Sequence, residues 1–344
     1  MAFDRMDPRD FLSLTYAHAQ RHALGRRQVL AGFGALAGAA ALSGVPFQAA
    51  RAEGRGGTLR IGRDQEPDSL DPHKTALSIS DYTNLFIYEP LARIDTEGKV
   101  VPGLAERWEF SDGNKTILFH LRDGVTFHDG SPADAEACAW TTRRMMDPAT
   151  AAPAAFLMGP FDTAEVVDRL TVAYRFKEPF VPVWIGIASS YAGIVPRQSV
   201  EKLGDQFGRN PVGCGPFRFT GWAPDSGITL ARFDDYKCGP VAAPDGLQLL
   251  YFPEDSTRIA ALETGEIDAL ATGQAVPADA VRRLRQDGEV QLLSRPAQII
   301  RALAFNQGMA PFDDIRMRRA ISHACHAERA ASRRRERTYH AGRD

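Results

Sequence analysis

Apolar and polar positions alternate in several short stretches of the chain. Thr58 to Gly62 places Leu59 and Ile61 on one face and predicts a first strand. In "GNKTILFHLRDGVTF", from Gly113, the residues Ile117, Phe119 and Leu121 share a face and predict another. Asp123-Gly124 marks a turn after it, and Asp129-Gly130 marks a second. "RLTVAYRF" (169–176) predicts a strand, continued by the proline-rich "KEPFVPVW" (177–184). "PFRFTGW" (216–222) and "GITLARF" (227–233) predict a hairpin joined at Ala223 to Ser226.

Helical spacing appears between these stretches. Asp81 to Leu91 carries Tyr82, Leu85, Phe86 and Tyr88. Ser131-Pro132-Ala133-Asp134 predicts a helix start, with Ser131 as N-cap, Pro132 first in the helix and Asp134 reaching back to free amides. That helix is expected to run to about Met146, with Ala135, Cys138, Ala139, Thr142 and Met145 on its inner face. Asp255-Ser256-Thr257 caps a helix through Leu262 that ends at Gly265, and "EIDAL" follows as a short strand. Helix and strand in alternation predict an α/β fold.

Composition narrows the function classes. The chain has 344 residues, enough for two or three compact domains. Its 41 basic and 43 acidic side chains leave a net charge of −2, so no nucleic acid partner is expected. The first fifty residues differ from the rest. Arg26 and Arg27 precede a run of small apolar residues, and Ala50-Arg51-Ala52 forms an A-x-A site that would cleave between Ala52 and Glu53. This pattern resembles a twin-arginine export signal and implies a periplasmic protein. The alternative is a membrane anchor, since Val29 to Phe47 is about long enough to span. Its many glycines and alanines weigh against that. Gly32-Phe-Gly34-Ala-Leu-Ala37 fits a dinucleotide fingerprint, but no strand precedes it.

Candidate chemistry is sparse. The four cysteines, Cys138, Cys214, Cys238 and Cys325, match no zinc spacing and contain no C-x-x-C. Cys214 and Cys238 bracket the hairpin, leaving a disulfide or two free thiols open. His120 and His128 lie near a turn without partners at ligand spacing. No G-x-S-x-G, H-E-x-x-H or Walker A motif occurs. No catalytic residue, metal or cofactor is expected. The rival class is an exported periplasmic metalloenzyme or hydrolase, because twin-arginine signals often serve cofactor enzymes.

Several segments in order carry a resemblance. They are "LDPH" (70–73), "PGLAERWEFSDGNKTILFHLRDGVTFHDGSP" (102–132), "NPVGCGPFRF" (210–219), "FPEDSTRIAALETGEIDAL" (252–270) and "FNQGMAPFDDIRMRRAISHA" (305–324). Together they resemble the peptide-type solute-binding proteins of bacterial ABC importers, the dipeptide and oligopeptide family. The resemblance implies an α/β, two-lobed periplasmic-binding-protein fold of type II, with an extra domain inserted in the first lobe. It implies a monomer that closes over a peptide or related small solute and delivers it to an ABC permease in the inner membrane. Nickel chelates, glutathione, opines and sugars are the other solutes the family implies. Residues lining the cleft would be Thr75, Ala76, Leu77 and Ser78, with Ala154 and Phe156 from a second segment.

The resemblance also implies an organisation. Residues 1–52 are the export signal, 53–84 and 169–271 the two parts of the first lobe, and 85–168 the inserted domain. Residues 272–324 begin the second lobe. From Cys325 the sequence turns Arg-rich, with no aliphatic residue larger than alanine. Residues 325–344 are therefore expected to be an aberrant tail left by a frameshift or truncation, the second lobe incomplete and peptide binding weak or absent.

Overall fold

The computed structural model describes residues 56–95, 97–271, 276–288, 290–292 and 303–324. The export signal, with Arg26, Arg27, Ala52 and Glu53, lies outside the described residues, as do Cys325 and the Arg-rich segment. Two compact units divide at Gly273.

The first unit runs β1 (Thr58–Arg63), α1 (Ser78–Ile87), β2 (Ala92–Ile94), β3 (Val100–Pro102), β4 (Ala105–Ser111), β5 (Thr116–Leu121), α2 (Ala135–Met146), β6 (Phe161–Asp168) and β7 (Thr171–Phe176). It continues through α3 (Val183–Ile187), α4 (Arg197–Leu203), β8 (Phe217–Ala223), β9 (Gly227–Arg232), β10 (Gly246–Tyr251), α5 (Asp255–Glu263) and β11 (Ala269–Leu270). In the second unit, α6 (Ala278–Asp287) buries Ala280 and Leu284, whereas α7 (Ile315–Ala324) buries no side chain.

Five strands form a mixed sheet in the order β11-β1-β10-β9-β8. β1 is parallel to both β10 and β11, and the β8–β9 hairpin completes the other side. Alternation along β1 turns Leu59 and Ile61 to one face, where they join Leu247, Leu249, Ile228, Leu230 and Phe217 in a core closed by Ile87 and Tyr88. A second, antiparallel sheet has the order β4-β5-β7-β6 and buries Ile117, Phe119, Val172 and Tyr174 beside Cys138 and Ala139 of α2.

Four local expectations change. The inserted domain was expected to end at 168, but β7 pairs with both β5 and β6. The 168/169 boundary falls inside a hairpin, so the insert's sheet ends at Phe176. Second, α2 is capped by Asp134, whose carboxylate accepts the Ala137 amide at 3.1 Å, and not by Ser131. Residues before the helix return to the preceding segment instead, with a bridge between Thr126 and Pro132 and a bond from the Ala133 amide to the Val125 carbonyl. Third, α1 spans 78–87 rather than 81–91, because Pro90 favours extended backbone before it and Tyr88 is already extended. Fourth, the strand at 169–176 does not continue into 177–184, where Pro182 instead precedes the short α3.

Candidate functional site

The loop that follows β1 is anchored at "LDPH". Arg144 of α2 donates two hydrogen bonds to Asp71, at 2.9 and 2.6 Å, and a third to His73 Nδ1 at 2.7 Å. Burial alone would raise the Asp71 pKa, but the Arg144 guanidinium outweighs it and holds the carboxyl below its usual range. His73 is fully enclosed, and burial with Arg144 nearby pushes it down to about 3. It is a neutral imidazole whose Nδ1 accepts, so Nε2 carries the proton. The motif is a junction between the loop and α2.

Beyond the junction, Asp68 organises the next turn. Its Oδ1 accepts from Thr75 Oγ1 at 2.6 Å, Ser80 Oγ at 2.8 Å and the Ser69 amide at 2.8 Å. Thr75 Oγ1 in turn accepts the Leu77 amide at 3.1 Å. Lys74 Nζ donates to the Thr150 carbonyl at 2.7 Å, tying this loop to the segment that carries Ala154 and Phe156. The structure thus brings the neighbourhoods of the two expected lining segments together.

The six candidate residues divide by exposure. Thr75 and Ala154 are 1% and 4% exposed and belong to the scaffold. Ala76 and Ser78 are exposed, Leu77 is 45% exposed, and Phe156, in a 3₁₀ turn over Ala155–Met158, is 76% exposed. Tyr82 and Leu85 of α1 add two more exposed apolar side chains. Asp81 of α1 accepts the Ser190 hydroxyl at 2.5 Å and the Ser190 amide at 3.2 Å. Burial raises its pKa, and the Ser190 bonds oppose that only in part. Sequence reasoning missed Tyr82 as a surface residue because its helical spacing reads equally well as core.

The carboxyl end of β1 holds a residue that no motif marks. Arg63 is 5% exposed and stands in register with Tyr251 at the end of β10. Its Nε and the Tyr251 hydroxyl are both buried without a hydrogen-bond partner. In open α/β sheets, ligands bind outside the carboxyl ends of the strands.

Groups that could do chemistry are structural. His128 joins the turn at Asp129-Gly130 to "GCG": its Nδ1 accepts the Gly213 amide at 3.3 Å, and its Nε2–H donates to the Gly215 carbonyl at 3.0 Å. Burial pushes it down to about 4, so the bridge holds as a neutral imidazole. Asp129 accepts the Ser131 amide and hydroxyl at 2.9 and 2.6 Å and the Ser199 hydroxyl at 2.7 Å. His120 Nε2 lies 3.4 Å from an exposed Glu109 carboxylate. Cys138, Cys214 and Cys238 are buried free thiols, with no disulfide between Cys214 and Cys238. Burial raises all three, Cys238 to about 12, which keeps them protonated and poorly nucleophilic. Among the described residues no cluster of His, Cys, Asp and Glu is placed to hold a metal ion. The cavity beside Thr141, Thr142 and Tyr174 has about 10 Å³, room for one water at most. The loop after β1, held by Asp68, Asp71 and Arg144, presents Ala76, Leu77 and Ser78 to solvent.

Residues 99–338 match the model of the bacterial extracellular solute-binding proteins, family 5, middle. The chain belongs to this family. The match takes in part of the Arg-rich segment, so the family pattern is not confined to residues before Ala324. The glutathione-binding protein GsiB of Pectobacterium atrosepticum is 28% identical over 256 residues, 74% of this chain and 49% of that protein. The periplasmic binding protein DppA of Helicobacter pylori, solved with the peptide STSA, is 27% identical at a TM-score of 0.62, covering 67% of this chain and 49% of that one. MoaA of A. tumefaciens R10, solved with mannopinic acid, is 25% identical at a TM-score of 0.70, covering 80% of this family 5 chain and 57% of its own. The chain spans about half the length of the curated relatives it matches. These relatives are named as binding proteins, which accords with the absence of catalytic motifs from the sequence.

Proposed function

We propose that this chain is the extracytoplasmic solute-binding component of an ABC importer. It takes up a peptide or a related small solute by lobe closure and hands it to a permease in the inner membrane. Family membership carries this reading. The loop after β1 supports it, because Asp68, Asp71 and Arg144 fix a backbone from which Ala76, Leu77 and Ser78 project, with Phe156 on the segment tied to it through Lys74. A binding protein closes because its ligand contacts both lobes and so favours the closed state. The chain works as a monomer in the periplasm, exported through Arg26 and Arg27 and cleaved between Ala52 and Glu53.

Native mass spectrometry of the chain recovered from periplasm tests this. The expected result is a small solute that copurifies and is released on denaturation, together with binding of at least one of tri-alanine, glutathione or mannopinic acid by calorimetry. Phe156→Asp, an exposed change, should weaken that binding without lowering the melting temperature. A chain that carries no solute and binds none of the three would overturn the proposal. N-terminal sequencing of the periplasmic protein should begin at Glu53.

A further inference from the structure

Three arginines of the first unit are largely withdrawn from solvent, and two of them are ion-paired inside the protein, although Arg258 Nε itself lacks a partner. Arg144 is bidentate on Asp71. Arg258 of α5 donates to the Phe252 and Pro253 carbonyls and to Asp255. Arg63 differs: its guanidinium makes no hydrogen bond and no ion pair among the described residues, and its Nε is sealed from solvent. A buried charge that lacks a partner is strongly unfavourable, and native proteins rarely keep one without a use for it.

The surroundings show what kind of partner fits. Alternation along β1 puts Arg63 on the same face as Leu59 and Ile61, and the parallel register sets Tyr251 beside it. The Tyr251 hydroxyl is a second buried group with an unused hydrogen bond. The charged and polar neighbours that Arg63 senses are Tyr251, Asp64 and Tyr82, none bonded to it. Tyr251 senses Glu66, Arg63 and Arg209. Glu66 is already engaged, accepting from Trp222 Nε1 and the Asp225 amide, and Arg209 stacks 3.7 Å over the Trp222 ring. Two donors without acceptors therefore stand side by side at the carboxyl ends of two parallel strands.

We propose that Arg63 and Tyr251 form an anion subsite that receives a carboxylate of the captured solute. The guanidinium and the phenol both donate to it, so an acidic solute supplies the counter-charge that the fold withholds. The subsite rests on the solute-capture reading for its physiological role, but not for its chemistry. It selects peptides with a free carboxyl end, or other carboxylic acids, over their neutral counterparts.

Thermal melting and calorimetry of the full chain test it with three probes: succinate against chloride at constant ionic strength, tri-alanine, and tri-alanine amide. Succinate should raise the melting temperature of the wild type by a few degrees, less in Tyr251→Phe and not at all in Arg63→Met. Tri-alanine should bind at least about tenfold more tightly than its amide, a preference that Arg63→Met abolishes. Without ligand, Arg63→Met should melt higher than the wild type, because it removes an unpaired buried charge. A structural role for Arg63 would make it melt lower, and that result overturns the subsite. So does a succinate effect that is absent from the wild type or survives in Arg63→Met. Acid and amide binding equally well would leave solute capture standing and remove the subsite. Loss of the succinate effect in Arg63→Met, with no peptide bound by either protein, would keep the subsite and remove peptide as the solute.

Discussion

The Arg144 junction and the Arg63 corner bury the same chemical group in opposite ways. At the junction, the guanidinium of Arg144 meets Asp71 and His73, and it ties the loop after β1 to α2. At the corner, Arg63 is 5% exposed, its Nε is sealed without a partner, and its guanidinium makes no ion pair among the described residues. The first arrangement stabilises the fold with its counter-ion already inside, although His73 Nε2 is itself buried without a partner. The second burdens the fold and makes sense only if something arrives. What separates the two is charge: the guanidinium at the junction has a carboxylate inside the fold, and the one at the corner has none among the described residues.

The widest separation between the two should come from Arg144→Met. Removing the guanidinium leaves the buried Asp71 carboxylate without its counter-charge and with only the His73 amide bonded to it, which should cost about 3–5 kcal/mol in urea unfolding. An effect under 1 kcal/mol, roughly that of an exposed ion pair, would erase the distinction.

Next comes Gly213→Ala. A β-carbon there would lie 2.1 Å from the Ile87 carbonyl oxygen, and backbone cannot yield as a flexible side chain would. A loss of roughly 2–3 kcal/mol is expected, with the His128 bridge loosened. Chemical shifts of the His128 ring should report it, and an unchanged ring environment would detach this bridge from the scaffold.

Acid should attack the scaffold before the corner. His128 is held neutral with a folded pKa of about 4, against about 6.5 unfolded. Between those values the unfolded chain binds the proton and the folded chain does not. Stability is therefore full above pH 6.5 and falls as pH drops toward 4, by about 2 kcal/mol between pH 7 and 5. His73 acts in the same direction. His128→Gln should remove roughly half of the fall in urea midpoint over that range, His73 supplying the rest, while Arg63→Met should leave the slope unchanged.

The smallest effect belongs to Tyr251→Phe without ligand. Deleting a satisfied buried hydroxyl costs about 1 kcal/mol, but this one has no partner to lose. A change within about 0.5 kcal/mol is expected by urea unfolding, and a larger loss would mean that the hydroxyl is bonded within the fold.

The same contrast explains what could be read from the sequence. Strands and turns around "LRDGVTFHDGSP" were legible because alternation and Asp-Gly pairs act locally, and Gly124 and Gly130 do adopt positive φ. The cap of α2 was misplaced by three residues because Ser131 is claimed by Asp129, a competition that spacing alone does not reveal. The boundary at 168 failed because β7 joins β5 across the sheet, a pairing set by tertiary contact. Of the expected lining residues, Thr75 faces Asp68 and Ala154 is buried, since position in a loop does not give the direction of a side chain. Arg63 was invisible for a deeper reason. It sits in an ordinary alternating strand, and being unpaired is a property of everything packed around it.

The pairing of β1 with β10 also sets an order of assembly. Gly57 is bound by Asp245, 188 positions later, and β1 finds both of its neighbours only at that distance or beyond. The antiparallel sheet β4-β5-β7-β6 is complete by Phe176. As the chain leaves the ribosome, that sheet can therefore fold while β1 is still an exposed apolar strand awaiting partners. The last part of the first unit to form is the β1–β10 pair, whose carboxyl ends hold Arg63 and Tyr251.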